Sequence, residues 1–255
     1  MSSCPPIVLA FAASDPTGGA GLQADLLTLA AMGCHPLSVL TAFTVQDTTG
    51  VESVHAVDAE RVRAQAEALL ADMRVAAFKL GVLGSADNVH AIADLLSEHP
   101  EVPVVLDPVL ASGRGDALAS DDTLRAMCEL LVPQSTILTP NSIEARRLGG
   151  VERLLEIGCE FVLVTGTHEA GEEVVNTLYD RGGVVRADRW QRLPGSYHGS
   201  GCTLASAIAA ALANGRGVPE AVHDAQEYTW QTLAAAFRPG CGQFLPNRFF
   251  WHDRT

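Results

Sequence analysis

The chain has 255 residues, of which 47% are hydrophobic and 18% charged, and its formal net charge is −13 at pH 7. This composition suits a folded chain with a sizeable apolar core. The acidic balance argues against DNA, RNA or an anionic membrane as partner, so an anionic ligand needs local help from backbone N–H groups, a magnesium ion or a few placed arginines.

The first element is the apolar run 7–12, which predicts a buried strand. The glycine loop Ala13-Ser14-Asp15-Pro16-Thr17-Gly18-Gly19-Ala20-Gly21 follows, and then a predicted helix over 22–29. A glycine-rich loop after the first strand of an α/β protein commonly contacts a ligand. No Gly-Lys-Ser/Thr follows it, and its glycines do not keep the G-x-G-x-x-G spacing, so it is neither a Walker loop nor a dinucleotide fingerprint. Residues 37–42 predict a second strand, 59–73 a helix, 77–80 a short strand and 88–97 a helix. The run 102–106 is a strand ending at Asp107-Pro108. Residues 122–131 form a helix with Ser120-Asp121 as caps. Strands over 136–138 and 161–164 end at Thr139-Pro140-Asn141 and Thr165-Gly166. These runs are apolar throughout, which predicts a largely parallel sheet buried on both faces. Residues 174–179 and 184–190 flank Asp180-Arg181-Gly182-Gly183, a hairpin signal. Helices over 203–214 and 219–236 complete the order.

No linker, repeat or low-complexity tract interrupts the chain, so residues 1–255 are read as one domain, a three-layer α/β/α sandwich with a mainly parallel central sheet. No stretch reaches the roughly 18–20 apolar residues of a membrane span. The segment from Met1 lacks the basic and apolar regions of a secretory signal, and a cytoplasmic protein is expected. The six cysteines, Cys4, Cys34, Cys128, Cys159, Cys202 and Cys241, have no C-x-x-C spacing. Reduced thiols are expected and a zinc site is not.

Ligands in such sheets bind beyond the carboxyl ends of the strands. Asp107, Asn141, Glu144 and Thr165 fall there. Asn141 and Glu144 have the spacing of a helix-capping pair; the same Glu144 is placed to orient the waters of a magnesium ion. Asp107 before Pro108 reads either as a ligand or as a turn former. The second glycine loop is Tyr197-His198-Gly199-Ser200-Gly201-Cys202-Thr203, ahead of an apolar small-residue helix. Glycines there let backbone N–H groups face a phosphate, and the helix adds its unsatisfied N–H groups and positive dipole end. Cys202 lies on the first turn, where that field favours thiolate.

Together these segments resemble the ribokinase-like superfamily, and within it the hydroxymethylpyrimidine/phosphomethylpyrimidine kinases of thiamine biosynthesis. The resemblance is carried by the first glycine loop through Asp25, by Thr41-Ala42-Phe43-Thr44-Val45-Gln46-Asp47-Thr48, by Lys79-Leu80-Gly81-Val82-Leu83, by Leu106-Asp107-Pro108-Val109, by Leu138 to Ala145 and by His198 to Leu204. It covers nearly the whole chain. It implies a ribokinase-like fold and ATP-dependent phosphorylation of an aminopyrimidine hydroxymethyl group and then of its monophosphate, with ATP and Mg²⁺ as cofactors and a homodimer as the assembly. By the same resemblance Asp25 and Gln46 hold the amino group and ring nitrogens, and Ala20, Val82 and Val109 line the pocket. Gly199, Ser200, Gly201 and Cys202 serve the transferring phosphoryl, Cys202 taking or orienting the hydroxyl proton. Asp107, Thr139, Asn141, Thr165 and Thr203 contact the nucleotide, and Glu144 (through water) and Asp107 the metal.

Two departures concern the nucleotide end. Thr165 stands where many relatives carry lysine, and Ser112-Gly113-Arg114-Gly115 stands where a second lysine is common; Arg114 is the expected substitute for that charge. The chain from 148 to 161 is also shorter than usual. A pyridoxine or pyridoxal kinase of the same superfamily, or a degenerate pyrimidine-binding homologue, are the alternative readings.

Overall fold

A computed structural model describes residues 4–110 and 118–253. Arg114 lies outside the described residues. Nine strands form one sheet in the order β3-β2-β1-β4-β5-β6-β7-β8-β9. In chain order they are β1 (Ile7–Ser14), β2 (His35–Gln46), β3 (Val51–Ala56), β4 (Ala77–Leu80), β5 (Val104–Leu106), β6 (Ile137–Leu138), β7 (Phe161–Val164), β8 (Glu173–Asp180) and β9 (Gly183–Gln191). Strands β2, β1, β4, β5, β6 and β7 run parallel; β3 and the β8–β9 hairpin are antiparallel additions at the two edges.

The helices are α1 (Gly21–Ala31), α2 (Ala59–Asp72), α3 (Ala86–Ser97), α4 (Asp121–Ala126), α5 (Ser142–Arg147), α6 (Val151–Glu156), α7 (Ser200–Ala213) and α8 (Val218–Ala234). Alternation along the strands divides them into two layers, because successive side chains leave a strand on opposite faces. Leu9, Phe11, Phe78, Leu80 and Leu106 pack against α2, α3 and α6. Val8, Ala10, Ala77, Val105 and Leu163 pack against α1, α7 and α8. The alanines of α7, including Ala205, Ala207, Ala209 and Ala210, are fully or almost fully buried, so this helix lies close on the sheet.

The expected α/β ribokinase-like sandwich is present, with differences at its margins. β3 was not expected: Val51-Glu52-Ser53-Val54-His55-Ala56 is an edge strand whose half-exposed, polar sequence lacks the apolar run of a core strand. The helix expected over 122–131 is α-helical only to Ala126. It widens into a π turn over Met127–Leu131 and tightens into a 3₁₀ turn containing Pro133. α5 and α6 are six residues each, too short for a periodicity to be visible. No helix among the described residues is long and apolar enough to cross a membrane.

Lys79, the only lysine of the chain, is fully buried on β4. Its Nζ lies 2.8 Å from Oδ1 and 3.0 Å from Oδ2 of Asp25 on α1, and Ser206 Oγ of α7 donates to the same carboxylate at 2.8 Å. Burial is the largest single effect and disfavours the ammonium, but the charge and hydrogen bond of Asp25 together with the acidic groups Cys202 and Asp107 outweigh it and hold the Lys79 pKa above its usual value. One ion pair thus ties α1, β4 and α7 together. Removing either partner of such a pair leaves an uncompensated buried charge and costs about 3–5 kcal/mol, whereas replacing both by apolar residues is often near neutral. Urea unfolding should therefore show Lys79→Met and Asp25→Leu each strongly destabilised and the double variant more stable than either. A double variant less stable than both singles would show that the pair is not the source of the loss.

Candidate active site

Five parallel strands end along one margin of the sheet, and the residues beyond them line one cleft. Asp15 follows β1, Val82 follows β4, Asp107 follows β5, Thr139 follows β6 and Thr165 follows β7. The cleft has a volume of about 540 Å³, within the range of small-molecule sites. It runs from Gln46 and Val51 on the β2–β3 side to Val174, Trp190 and Leu233 on the β8, β9 and α8 side.

α7 aims its first turn into this cleft. Gly199, the N-cap, is left-handed (φ 84°, ψ 15°), and no side chain caps the helix. A Cβ on Gly199 would strike the carbonyl oxygen of Gly19 in the first loop, so the two glycine loops pack backbone against backbone. The N–H groups of the first turn have no intrahelical partner by construction, which leaves Ser200, Gly201 and Cys202 as donors on the cleft wall. That is an anion site of the kind helix N-termini form.

On the opposite wall Asp15 organises the first loop. Its carboxylate accepts from the N–H groups of Thr17 (2.8 Å) and Ala20 (2.7 Å), from the Thr17 hydroxyl (3.0 Å) and from His198 Nε2 (2.8 Å), and the Gln46 side chain lies on its side of the cleft. Burial opposes ionisation, but the hydrogen bonds from His198, Thr17 and Ala20 prevail and hold the carboxyl well below the usual range. An ionised carboxylate only accepts, so the proton of this pair sits on Nε2 of His198. His198 thereby links the second glycine loop to the first.

The side of the cleft beyond β5 and β6 has the opposite electrostatics. Burial pushes Asp107 up to about 6, with Lys79 working against the rise. Burial and then the charge of Asp107 push Glu144 up to about 7. Oδ2 of Asp107 is buried without a hydrogen-bond partner among the described residues, as is Oγ1 of Thr139. Asn141 and Glu144 form a complete capping box on α5: Asn141 Oδ1 accepts from Ile143 and Glu144 N–H at 2.9 Å, and Glu144 Oε2 accepts from Asn141 N–H at 2.9 Å. Both residues also line the cleft, so the cap is what holds the carboxylate there.

Of the residues singled out from the sequence, Ala20, Gln46, Val82, Asp107, Val109, Thr139, Asn141, Glu144, Thr165, Gly199, Ser200, Gly201 and Cys202 all line this one cleft. Asp25 and Thr203 do not. α1 begins at Gly21, so Asp25 falls on the same inward face as Leu22 and Leu29, where its carboxylate is fully engaged by Lys79 and Ser206. Asp25 is therefore not the partner of a ring amine; Asp15 with Gln46 occupies that end of the cleft. Thr203 is buried behind the anion turn, its hydroxyl donating to the Gly199 carbonyl at 2.8 Å, so it touches no nucleotide. Asp15 and His198 were not singled out by sequence reasoning, although each had a signal: Asp15 directly follows a strand, and His198 directly precedes the glycine turn.

A thiolate at Cys202 is also not what the site favours. Burial pushes this thiol up to about 12; Lys79 pulls it down, while Asp107 and Asp25 push it further up. The thiol donates to Asp107 and receives the Gly21 N–H.

The model of the phosphomethylpyrimidine kinase family matches residues 15–247. The chain belongs to that family. It is 41% identical over 254 residues to a hydroxymethylpyrimidine/phosphomethylpyrimidine kinase of Streptomyces coelicolor, covering 93% of this chain and 92% of the relative. The corresponding protein of Escherichia coli is 34% identical over 89% of this chain and 91% of its own. Among solved structures, a phosphomethylpyrimidine kinase of Clostridium difficile superposes with a TM-score of 0.77 at 32% identity, over 89% of this chain and 99% of that one. An ADP complex of Bacillus subtilis pyridoxal kinase superposes with a TM-score of 0.86 at 27% identity, over 97% and 99%. The chain is accordingly a kinase, and the two vitamin-kinase activities share its fold.

At pH 7–9 a thiol held near 12 stays protonated and reacts slowly. Mass-spectrometric mapping of iodoacetamide labelling should find Cys4 and Cys241, both exposed, modified at least about tenfold faster than Cys202. A Cys202 labelling rate rising with an inflection at or below pH 8 would restore the thiolate.

Proposed function

We propose that this kinase transfers the γ-phosphoryl group of ATP to the hydroxymethyl group of 4-amino-5-hydroxymethyl-2-methylpyrimidine and then to its monophosphate, as a step of thiamine biosynthesis. The observation that carries the reading is the anion turn of α7 set across one cleft from Asp15 and Gln46. Gln46 lines the cleft on the Asp15 side, and its side-chain amide offers both a donor and an acceptor, which suits the exocyclic amine and ring nitrogens of an aminopyrimidine. Ala20, Val82 and Val109 give the ring apolar walls.

Phosphoryl transfer needs mostly positioning and charge stabilisation. The N–H groups of Ser200, Gly201 and Cys202 receive the oxygens of the transferring group. Cys202, as a thiol bonded to Asp107, orients the accepting hydroxyl rather than deprotonating it. Thr139, Asn141 and Thr165 lie along the path of the nucleotide phosphates. The paired carboxylates fit a magnesium ion: Asp107 has an unpartnered oxygen, and Glu144 is raised by that neighbour's charge. No cluster of three metal-binding side chains occurs among the described residues, which suits an ion held by one or two carboxylates with phosphate and water. Such an ion, when bound, neutralises charge on the phosphate oxygens.

A coupled ADP-release assay over hydroxymethylpyrimidine, its monophosphate, pyridoxine and ribose tests the function. The pyrimidines should give the highest kcat/KM and ribose no turnover, because a site built to accept from an amine discriminates against a ring lacking it by roughly 10⁴-fold at best. A preference for pyridoxine would make this a pyridoxine kinase, and binding without turnover a degenerate homologue.

Glu144 yields a separate test. Its folded pKa lies above the unfolded value, so its contribution to stability is fully present below the unfolded pKa and is lost as pH rises through about 7. Without magnesium, Glu144→Gln should melt higher than wild type at pH 8, by roughly 3–6 °C, with the gap closing by pH 5. The same variant should need about tenfold more magnesium for half-maximal rate. Lower melting at every pH with an unchanged magnesium curve would leave capping as its whole role.

A further inference from the structure

Arg248 lies beyond α8, in a segment that returns to the glycine loops. Its backbone is anchored from that helix: Tyr228 donates its hydroxyl to the Arg248 carbonyl at 2.9 Å, and the neighbouring Asn247 N–H bonds to the Thr232 carbonyl at 3.0 Å. The side chain is almost fully buried. Nη1 donates to the Gly18 carbonyl at 3.2 Å and Nη2 to the Gly19 carbonyl. Nε and Nη2 donate to Thr203 Oγ1 at 3.2 and 3.1 Å, and that hydroxyl donates in turn to the carbonyl of Gly199, the N-cap of α7. One guanidinium therefore grips the first glycine loop and the anion turn together.

Its charge is the unexpected part. Every acceptor it uses is neutral, and no described carboxylate forms an ion pair with it. The other buried cation, Lys79, has Asp25. A buried charge is ordinarily paired, and a cation behind a helix N-terminus opposes the helix dipole. Fold stability alone does not favour this placement. An anion in front of the same turn does, since it experiences the helix N–H groups and the guanidinium behind them with the same sign. The cleft otherwise has little positive charge among the described residues. Among the described residues Arg192 is the one arginine lining it and no lysine does, and the Arg192 guanidinium is taken up by the carbonyls of Thr167, Glu169 and Gly171.

We infer that Arg248 is a positioning residue for phosphoryl transfer, locking the first glycine loop to the N-terminus of α7 and placing a fixed positive charge behind the anion turn. This rests on the kinase reading above.

The test combines steady-state kinetics on hydroxymethylpyrimidine with melting curves in magnesium and ADP, with and without aluminium fluoride as mimic of the transferring group. Arg248→Met should lower kcat about 30- to 300-fold while KM for ATP and pyrimidine moves less than about fivefold. It should keep the stabilisation given by ADP alone and lose the extra rise given by fluoride. Arg248→Lys, which retains charge but not the fork, should recover at least about tenfold of the lost kcat. Loss of kcat below about threefold in Arg248→Met, or a fluoride increment equal to wild type, overturns the inference. If Arg248→Met does not fold, Arg248→Lys and Thr203→Val carry the test: both should lower kcat more than they alter KM, and wild-type kcat in both overturns it. A wild type that phosphorylates no pyrimidine but shows the fluoride increment would sink the substrate reading alone, and the increment would still test Arg248.

Discussion

The buried pair of Lys79 and Asp25 is the interaction on which the site depends. Two fully desolvated charges meet where α1, β4 and α7 converge, and Ser206 completes the coordination of the carboxylate. Their attraction must offset a large desolvation cost, and it does so only at close range and with the remaining oxygens satisfied. That requirement fixes the distance of α1 and α7 from the sheet. Room for the ammonium comes from Gly81, where a Cβ would stand 2.8 Å from Nζ. With the two helices held so, their N-terminal turns open on the same cleft as the ends of β4 and β5.

The cleft is divided by environment rather than by residue type. Asp15 and Asp107 are both aspartates that directly follow strands. Asp15 is surrounded by donors and stays ionised; burial, and then the charge of Asp25, push Asp107 up to about 6 against the opposing pull of Lys79 and the Cys202 thiol. In the function proposed here, the Asp15 side, its carboxylate satisfied, receives a neutral polar ring. The Asp107 side, with an unpartnered Oδ2 and a neighbouring Glu144 raised by its charge, would receive a cation together with a polyanion. Cys202 sits between the two, its thiol held by Asp107 and Gly21, which supports the proposal that it orients a hydroxyl.

Pyridoxal kinases and phosphomethylpyrimidine kinases superpose on this chain over most of its length, so backbone similarity does not separate their substrates. In the function proposed here, phosphoryl transfer relies on the α7 turn and the strand ends, which a shared fold supplies. Ring selection would then rest on a few side chains at the β2 end of the cleft, where Gln46 beside Asp15 suits an amine-bearing ring.

Much of this molecule was legible in the chain itself. Predominantly apolar runs identified the parallel strands, because a strand covered by helices on both faces has no solvent-facing side; Ser38 and Thr41 on β2 and Lys79 on β4 are polar exceptions within those runs. Glycine spacing located both loops, since only glycine allows the left-handed turn at Gly199 and its approach to Gly19. Asn141 and Glu144 were readable as a cap from three-residue spacing alone. Tertiary structure decided the rest. Helix phase, set by where α1 starts, turned Asp25 inward to Lys79 and left the cleft to Asp15. Asp15 and His198 are 183 positions apart and Arg248 and Gly19 are 229 apart, contacts that no local pattern encodes. Burial raised the Cys202 thiol against the helix field that favoured its thiolate. Local sequence specifies backbone conformation and periodicity, but the solvation and the charge partners of a side chain exist only once distant segments have packed around it.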